Sequence, residues 1–125
     1  MEEGKVFFKR ESYQLVGCAY AVYNRLKYGY HEKYYQRAYQ VELAKLGFQV
    51  RREVLVRIVY NGKVIGRYML DFLINNVIVV EFKVGNEFQS KYIKQVLAYL
   101  KSTNRKLGIL ILFTPSGIQY KRIVN

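Results

Sequence analysis

The sequence predicts an α/β fold in which a central β-sheet is flanked by helices on both faces, with the element order ααβββαββ. Apolar residues recur every three or four positions in the N-terminal third and again from Gln89 to Thr103, as in amphipathic helices. They alternate with polar residues from Phe48 to Tyr60, as in a strand with one solvated face. The apolar run VIVV at 77–80 indicates a strand buried on both faces, which requires helices on both sides of the sheet.

Two helices are expected before the sheet. Ser12 is a candidate N-cap of the first helix, and the stretch Tyr28-Gly29-Tyr30 separates it from the second. Gly47 stands where a C-terminal cap would end the second helix. Cys18 lies on the apolar stripe of the first helix and is expected to be a core residue, with no second cysteine for a disulfide.

The first three strands are expected to form a meander. Asn61-Gly62 is a strong hairpin signal, because a type I′ turn needs positive φ at both central positions. The returning strand covers Lys63 to Ile74, Asn75-Asn76 is a second tight turn, and Val77 to Val84 is the third strand. After the helix at 89–103, the last two strands are joined by a turn at 115–117 and cover 107–113 and 118–124.

Length and composition set the class of protein. The 125 residues fit a single domain spanning 1–125, and 51% hydrophobic residues with 16% aromatics exclude intrinsic disorder. No apolar run is long enough to span a membrane, and the N-terminus opens with acids, so a cytoplasmic protein is expected. Lys and Arg number 21 against 9 Asp and Glu, giving a net charge of +12. This excess favours a polyanionic partner such as nucleic acid.

Carboxylates are scarce, and two of them lie inside apolar strands. Asp71 is the only aspartate, and Glu81 and Lys83 follow it in the pattern D-x9-E-x-K on the next strand. Mg²⁺ or Mn²⁺ prefers oxygen ligands, so two carboxylates on adjacent strands and the backbone carbonyl of Phe82 are candidate metal ligands. Lys83 shares a strand face with Glu81, where its ammonium would position or activate water. The combination predicts phosphodiester hydrolysis.

These residues resemble the signature of the PD-(D/E)xK nuclease superfamily, an Asp at the end of one strand and E-x-K on the next. Leu70 replaces the proline of that name. The resemblance implies a restriction-endonuclease-like α/β/α core with a mixed central β-sheet. It also implies a divalent-metal-dependent nuclease, with DNA as the expected substrate.

Two further motifs resemble narrower groups within that superfamily. Gly29, Glu32 and Tyr35 match G-x-x-E-x-x-Y, so the chain resembles the GxxExxY family, which implies that Glu32 faces the metal. Gln95 and Tyr99 match the Q-x-x-x-Y element of the branch that contains RecB-type and lambda-exonuclease-type nucleases. Both lie on one helix face, which implies that Gln95 orients the site.

Several residues are candidates for contact with nucleic acid. Tyrosines and cations are crowded in the N-terminal helices, and further cations follow the D-x9-E-x-K segment. The candidates are Tyr35, Arg37, Lys91, Lys94 and Tyr99.

Other interpretations remain open from the sequence. Lys83 would form a structural ion pair with one acid, and Glu32 would stabilise a helix N-terminus. Gln95 would be an exposed helix residue, and the tyrosines would pack over the sheet. For the whole chain, the alternatives are a non-catalytic nucleic-acid-binding module that keeps the nuclease fold and a homodimeric scaffold built on the Tyr-rich helices.

Overall fold

The structure is a computed structural model that describes residues 8–125, so the first seven residues of the predicted domain lie outside the described part. The order ααβββαββ is confirmed. The elements are α1 Lys9–Leu26, α2 Glu32–Lys45, β1 Val50–Tyr60, β2 Lys63–Ile74, β3 Ile78–Val84, α3 Ser90–Thr103, β4 Leu107–Thr114 and β5 Gly117–Val124. None of these helices is long and apolar enough to cross a lipid bilayer.

The five strands form one mixed sheet in the order β1-β2-β3-β4-β5. β3 and β4 run parallel, with Ile78 opposite Leu107 and Val84 opposite Phe113. Neighbouring parallel strands need a crossover connection, and α3 supplies it. The other three strand pairs are antiparallel and are joined by short turns.

Helices cover both faces of the sheet. α1 and α2 pack on one face, where Ile78 and Val80 are buried, and α3 packs on the other face beside Val79. The predicted burial of the VIVV strand on both faces is therefore confirmed for 78–80. The fold class predicted from the sequence is the observed one.

The turn residues adopt the backbone conformations that their types predict. Asn61 and Gly62 have φ of 48° and 78°, and Asn75 and Asn76 have φ of 51° and 60°. Positive φ at both central positions is the requirement of a type I′ hairpin turn. Gly47, with φ of 77°, directly follows Leu46, the C-cap residue of α2, as expected for a helix C-terminus.

The predicted N-cap role of Ser12 is wrong. α1 begins at Lys9, and the Ser12 amide donates to the Phe8 carbonyl at 2.7 Å, so Ser12 already lies in the first turn. Its side chain is buried, and its hydroxyl accepts a hydrogen bond from Arg122 Nε of β5 at 3.2 Å. A tertiary contact therefore uses the hydroxyl that the local sequence offers as a cap.

Candidate active site

The strands β2 and β3 separate at the two predicted carboxylates. They pair over only three residue pairs, 72–74 with 78–80, and diverge before Asp71 and Glu81. There the Asp71 amide donates to Glu81 Oε1 at 2.7 Å, and the Phe82 amide donates to Asp71 Oδ2 at 2.8 Å. Side-chain carboxylates thus accept two backbone amide hydrogens at the point where the ladder ends. We call this point the fork.

An irregularity in β1 and β2 accompanies the fork. Leu70 and Phe72 lie two residues apart, which puts them on one face of a regular strand, yet they belong to the cores on opposite faces of the sheet. Across from Asp71 in β1, Glu53 has φ of 52°, a conformation outside the β region. The β1–β2 strand pair is therefore irregular at Asp71, so that side chains on either side of this position point to opposite faces of the sheet. The Asp71 side chain is partly exposed at the fork.

Burial and mutual repulsion act strongly on the two carboxyl groups. Glu81 is only 2% exposed, and burial, together with the nearby Asp71 charge, raises its pKa well above the usual range. Burial also raises the pKa of Asp71, against the opposing effect of the Phe82 amide hydrogen bond. A pair in this condition is poorly stabilised by the protein itself and would be stabilised by a bound cation.

The Phe82 carbonyl points to the same open edge. In a β-strand the N–H and C=O of one residue point to the same side, and the Phe82 N–H points to Asp71. The registered pairing of β3 with β2 ends at Val80, two residues before Phe82. This direction is consistent with the predicted role of the Phe82 carbonyl as a third oxygen ligand beside the two carboxylates.

Lys83 follows on the same face of β3 as Glu81. Its Nζ lies 4.9 Å from the ring centroid of Tyr92 on α3. Within residues 8–125, Lys83 forms no salt bridge with Asp71 or Glu81, so the structural ion pair is not formed. Its charge still lowers the pKa of both carboxyls, which places it near them.

Glu32 is the first residue of α2 and also lies near the fork. Burial raises its pKa, the Asp71 charge raises it further, and the Lys83 charge lowers it. Among residues 8–125, however, no three His, Cys, Asp or Glu side chains are grouped so that they could hold a metal ion. Glu32 is thus brought towards Asp71 and Glu81 without completing a three-carboxylate cluster with them.

Two residues next to Glu32 were missed by the sequence analysis. Gln36 Nε2 donates to Glu32 Oε2 at 3.1 Å, and Gln36 Oε1 accepts from Arg52 Nη2 at 2.8 Å. Arg52 lies over the Phe72 ring, and its Nε is buried without a partner in the described part of the chain. The i,i+4 spacing from Glu32 was a signal for Gln36. No sequence signal distinguishes Arg52 from the other polar residues that alternate along β1.

The two residues of the Q-x-x-x-Y element have different surroundings. Tyr99 is 1% exposed, and its pKa is raised by burial and by the Glu81 and Asp71 charges, so it lies beside the carboxyl pair. Gln95 is half-buried on α3 and forms no side-chain hydrogen bond within residues 8–125. The structure thus brings Tyr99 close to the carboxylates, and the role of Gln95 stays a prediction.

The predicted nucleic-acid contacts divide by exposure. Arg37, Lys91 and Lys94 are exposed. Tyr99 is only 1% exposed and Tyr35 is 0% exposed, so the predicted contacts of these two tyrosines with nucleic acid are wrong. Tyr35 donates its hydroxyl hydrogen to the Lys27 carbonyl. Its aromatic ring packs in the core because α1 and α2 need a large side chain between them and the sheet.

A five-stranded mixed sheet between helices, with two carboxylates and a lysine at the point where two strands separate, defines a restriction-endonuclease-like nuclease fold. Residues 9–123 match the sequence profile of the PD-(D/E)XK nuclease superfamily, and the chain belongs to that superfamily.

Solved structures with this fold agree with that assignment. The alkaline exonuclease LHK-Exo from Laribacter hongkongensis is 16% identical with a TM-score of 0.55, over 94% of this chain and 70% of that one. The protein SSO0001 is 18% identical with a TM-score of 0.54, over 92% of this chain and 77% of that one. At these identities the likeness shows a shared fold. No curated protein matches the chain significantly by sequence.

Proposed function

We propose that this protein is a nuclease that depends on a divalent metal, Mg²⁺ or Mn²⁺, and hydrolyses phosphodiester bonds in DNA. The observation that carries the proposal is the fork, where Asp71 and Glu81 are interlocked through backbone amides and Lys83 stands beside them unpaired by either acid. Membership of a nuclease superfamily and the structural likeness to an alkaline exonuclease support the same reaction class.

Asp71, Glu81 and the Phe82 carbonyl would hold the metal ion, with Glu32 reaching it from α2. Mg²⁺ commonly takes one or two carboxylates and leaves its other positions to water and phosphate, so this donor set fits. A bound ion would polarise the phosphoryl oxygen and make water a stronger nucleophile. The protein's part is to hold two carboxylates together in a buried place, where a cation would relieve their repulsion.

Lys83 would bind the attacking water or a phosphate oxygen. Its ammonium has three donor hydrogens and no carboxylate partner within residues 8–125. The Tyr92 ring beneath the ammonium limits its motion without consuming those donors. Gln95, on the same helix as Tyr92, would orient the substrate phosphate, and charge on the phosphate in the transition state would be stabilised by Lys83.

We assign the chain to the GxxExxY family within the superfamily because the motif residues form one local unit. Gly29 has φ of 126°, which favours glycine, in the turn between α1 and α2. The Tyr35 hydroxyl accepts from the Tyr30 amide at 3.3 Å and donates to the Lys27 carbonyl, which fixes that turn. Glu32 lies within the unit, so glycine and tyrosine together set where its carboxylate stands. Gln95 and Tyr99 support the Q-x-x-x-Y branch.

The proposal is tested by cleavage of linear duplex, single-stranded and plasmid DNA with Mg²⁺, with Mn²⁺ and with EDTA. Asp71→Asn and Lys83→Met are expected to lower the rate by at least about 100-fold, because each removes a group that acts on the reacting phosphate. Glu87→Gln and Lys101→Met are matched controls, since both residues are exposed outside the fork.

Unchanged cleavage by both fork variants would overturn the assignment. Binding of DNA by the wild-type protein without turnover under any of these ions would instead indicate the non-catalytic module. The variants are first compared with the wild type by thermal unfolding, so that a loss of activity is not a loss of fold.

A further inference from the structure

The β1–β2 hairpin continues far beyond the fork. β1 pairs with β2 from Val50–Ile74 to Tyr60–Lys63, whereas β2 pairs with β3 over only three residue pairs. From Asp71 to the Asn61-Gly62 turn, β2 spans about 30 Å at the usual rise per residue. This distal ribbon is two-stranded and projects past the rest of the sheet.

One face of the distal ribbon is covered by α3. Val56 and Leu70 are buried in the core that α3 completes, and Tyr68 packs against Tyr99 with ring centroids 4.2 Å apart. The Tyr68 hydroxyl also lies 2.9 Å from Ser102 Oγ. These contacts hold the ribbon in a fixed position relative to the helix beside the fork.

The opposite face of the ribbon has no helix over it. Strand periodicity puts Leu55 and Arg57 on this face of β1, and their cross-strand partners are Met69 and Arg67. Leu55 is 48% exposed and Met69 is 49% exposed, and both arginines are exposed. We call these four residues the ribbon face.

The charges of the ribbon face indicate what binds it. Arg57 and Arg67 are directly opposite each other, and like charges in that position destabilise a strand pair. Within residues 8–125, neither arginine forms a salt bridge. A second copy of the chain would bring four guanidiniums together on a shared axis, so self-association through this face is unfavourable. A polyanion would relieve the repulsion.

We propose that the ribbon face binds the backbone and groove of duplex DNA on one side of the fork. A two-stranded antiparallel ribbon fits the major groove, and arginines supply donors for phosphate oxygens. Arg67 lies four residues from Asp71, about 13 Å along β2, which corresponds to about four base pairs of DNA axis. The inference rests on the proposed function, because it names a surface that positions the same substrate.

The test is binding, measured without metal so that it is independent of cleavage. Fluorescence anisotropy with a duplex of about 25 base pairs, longer than the ribbon and fork together, is recorded over a range of salt concentrations in EDTA. The double variant Arg57→Gln, Arg67→Gln is compared with Lys106→Gln, Lys121→Gln. The control removes the same two charges from exposed lysines outside the hairpin.

The ribbon variant is expected to weaken binding at least about tenfold and to reduce the slope of log K against log salt by about 1.8, which is 0.9 for each phosphate that is no longer neutralised. The control is expected to weaken binding by less than about threefold, because it removes charge at a distance from the bound phosphates. Arg57→Lys, Arg67→Lys is expected to keep most of the affinity, since it keeps both charges. Each single Gln variant is expected to reduce the slope by about 0.9.

Equal weakening in the ribbon variant and the lysine control would overturn the proposal, as would the absence of duplex binding by the wild type. If the double Gln variant fails to fold, the single variants and the Lys variant decide the question. Wild-type protein that binds through the ribbon face but does not cleave with any metal would contradict the proposed function and leave this inference standing.

Discussion

The backbone amide of Asp71 donates to the Glu81 carboxylate at 2.7 Å, across a gap where β2 and β3 no longer pair. The site is thus made by ending a ladder early. The amides of Asp71 and Phe82 hydrogen-bond to the two carboxylates and fix their positions. Positioning by backbone groups is rigid, because amides in a sheet have little freedom to move.

Holding these acids together is expected to reduce stability. If Glu81 is charged, its charge is buried beside Asp71. If it is protonated, it holds a proton that the unfolded chain would release at the same pH. Both states lower the free energy of unfolding. We expect Glu81→Gln to stabilise the metal-free protein at pH 7 to 8 by about 1 to 3 kcal/mol, measured by chemical denaturation in EDTA.

The stabilisation by Glu81→Gln depends on pH with a definite sign. The folded-state pKa of Glu81 is raised, so the penalty is absent below the unfolded pKa of about 4.3 and grows as the pH rises above it. The advantage of Glu81→Gln should therefore be small at pH 4 and large at pH 8. Exposed Glu87→Gln should change stability little at either pH. An advantage equal at both pH values would contradict this explanation.

The ring beneath Lys83 should affect the rate of cleavage. Tyr92→Leu removes the cation–π contact that holds Nζ at 4.9 Å, a contact worth about 0.5 to 1 kcal/mol at such a site. Steady-state kinetics on duplex DNA should show kcat reduced about two- to fivefold with little change in KM. Tyr92→Phe keeps a ring face and should behave like the wild type. A reduced kcat in both variants alike would point to the hydroxyl instead.

Gln36 should be needed for the order of the Glu32 side of the site. Gln36→Leu removes the part-buried hydrogen bonds of Glu32 Oε2 and Arg52 Nη2, so a decrease of about 1 to 3 kcal/mol in unfolding free energy is expected. Gln40→Leu is the control, because its longer 3.3 Å bond to Arg52 Nη1 is exposed. It should cost less than about 0.5 kcal/mol. An equal loss of unfolding free energy in the two variants would mean that the hydrogen bond between Gln36 and Glu32 contributes no extra stability.

The position of α3 on the sheet depends on Gly108. A Cβ at this position would lie 2.5 Å from Val96 Cγ1, so Gly108→Ala should destabilise the protein by about 1 to 3 kcal/mol. Gly85→Ala, whose Cβ would meet only Leu112 Cδ1 at 4.0 Å, is the control. In a double-mutant cycle, adding Val96→Ala should recover part of that stability. Strict additivity of the two changes would show that the clash is not the cause.

Local rules explain which features the sequence predicted well. The Asn-Gly and Asn-Asn turns were predictable because few residues accept positive φ at consecutive positions. The pattern D-x9-E-x-K was informative because a carboxylate in an apolar strand needs a reason to be there. Two predictions are wrong for different reasons. Ser12 suits a helix cap but bonds to Arg122 of β5, and Tyr35 is buried with its hydroxyl bonded to the Lys27 carbonyl.

The sequence by itself therefore determined the order of the elements, the burial of the sheet between helices, and the two acids and lysine of the fork. Periodicity, turn chemistry and the cost of buried charge operate over a few residues. Only the tertiary structure decided that β2 and β3 part at Asp71, that Gln36 and Arg52 reach towards Glu32, and that the ribbon face lies bare. These relationships join residues on different elements, and their geometry depends on how the helices pack against the sheet.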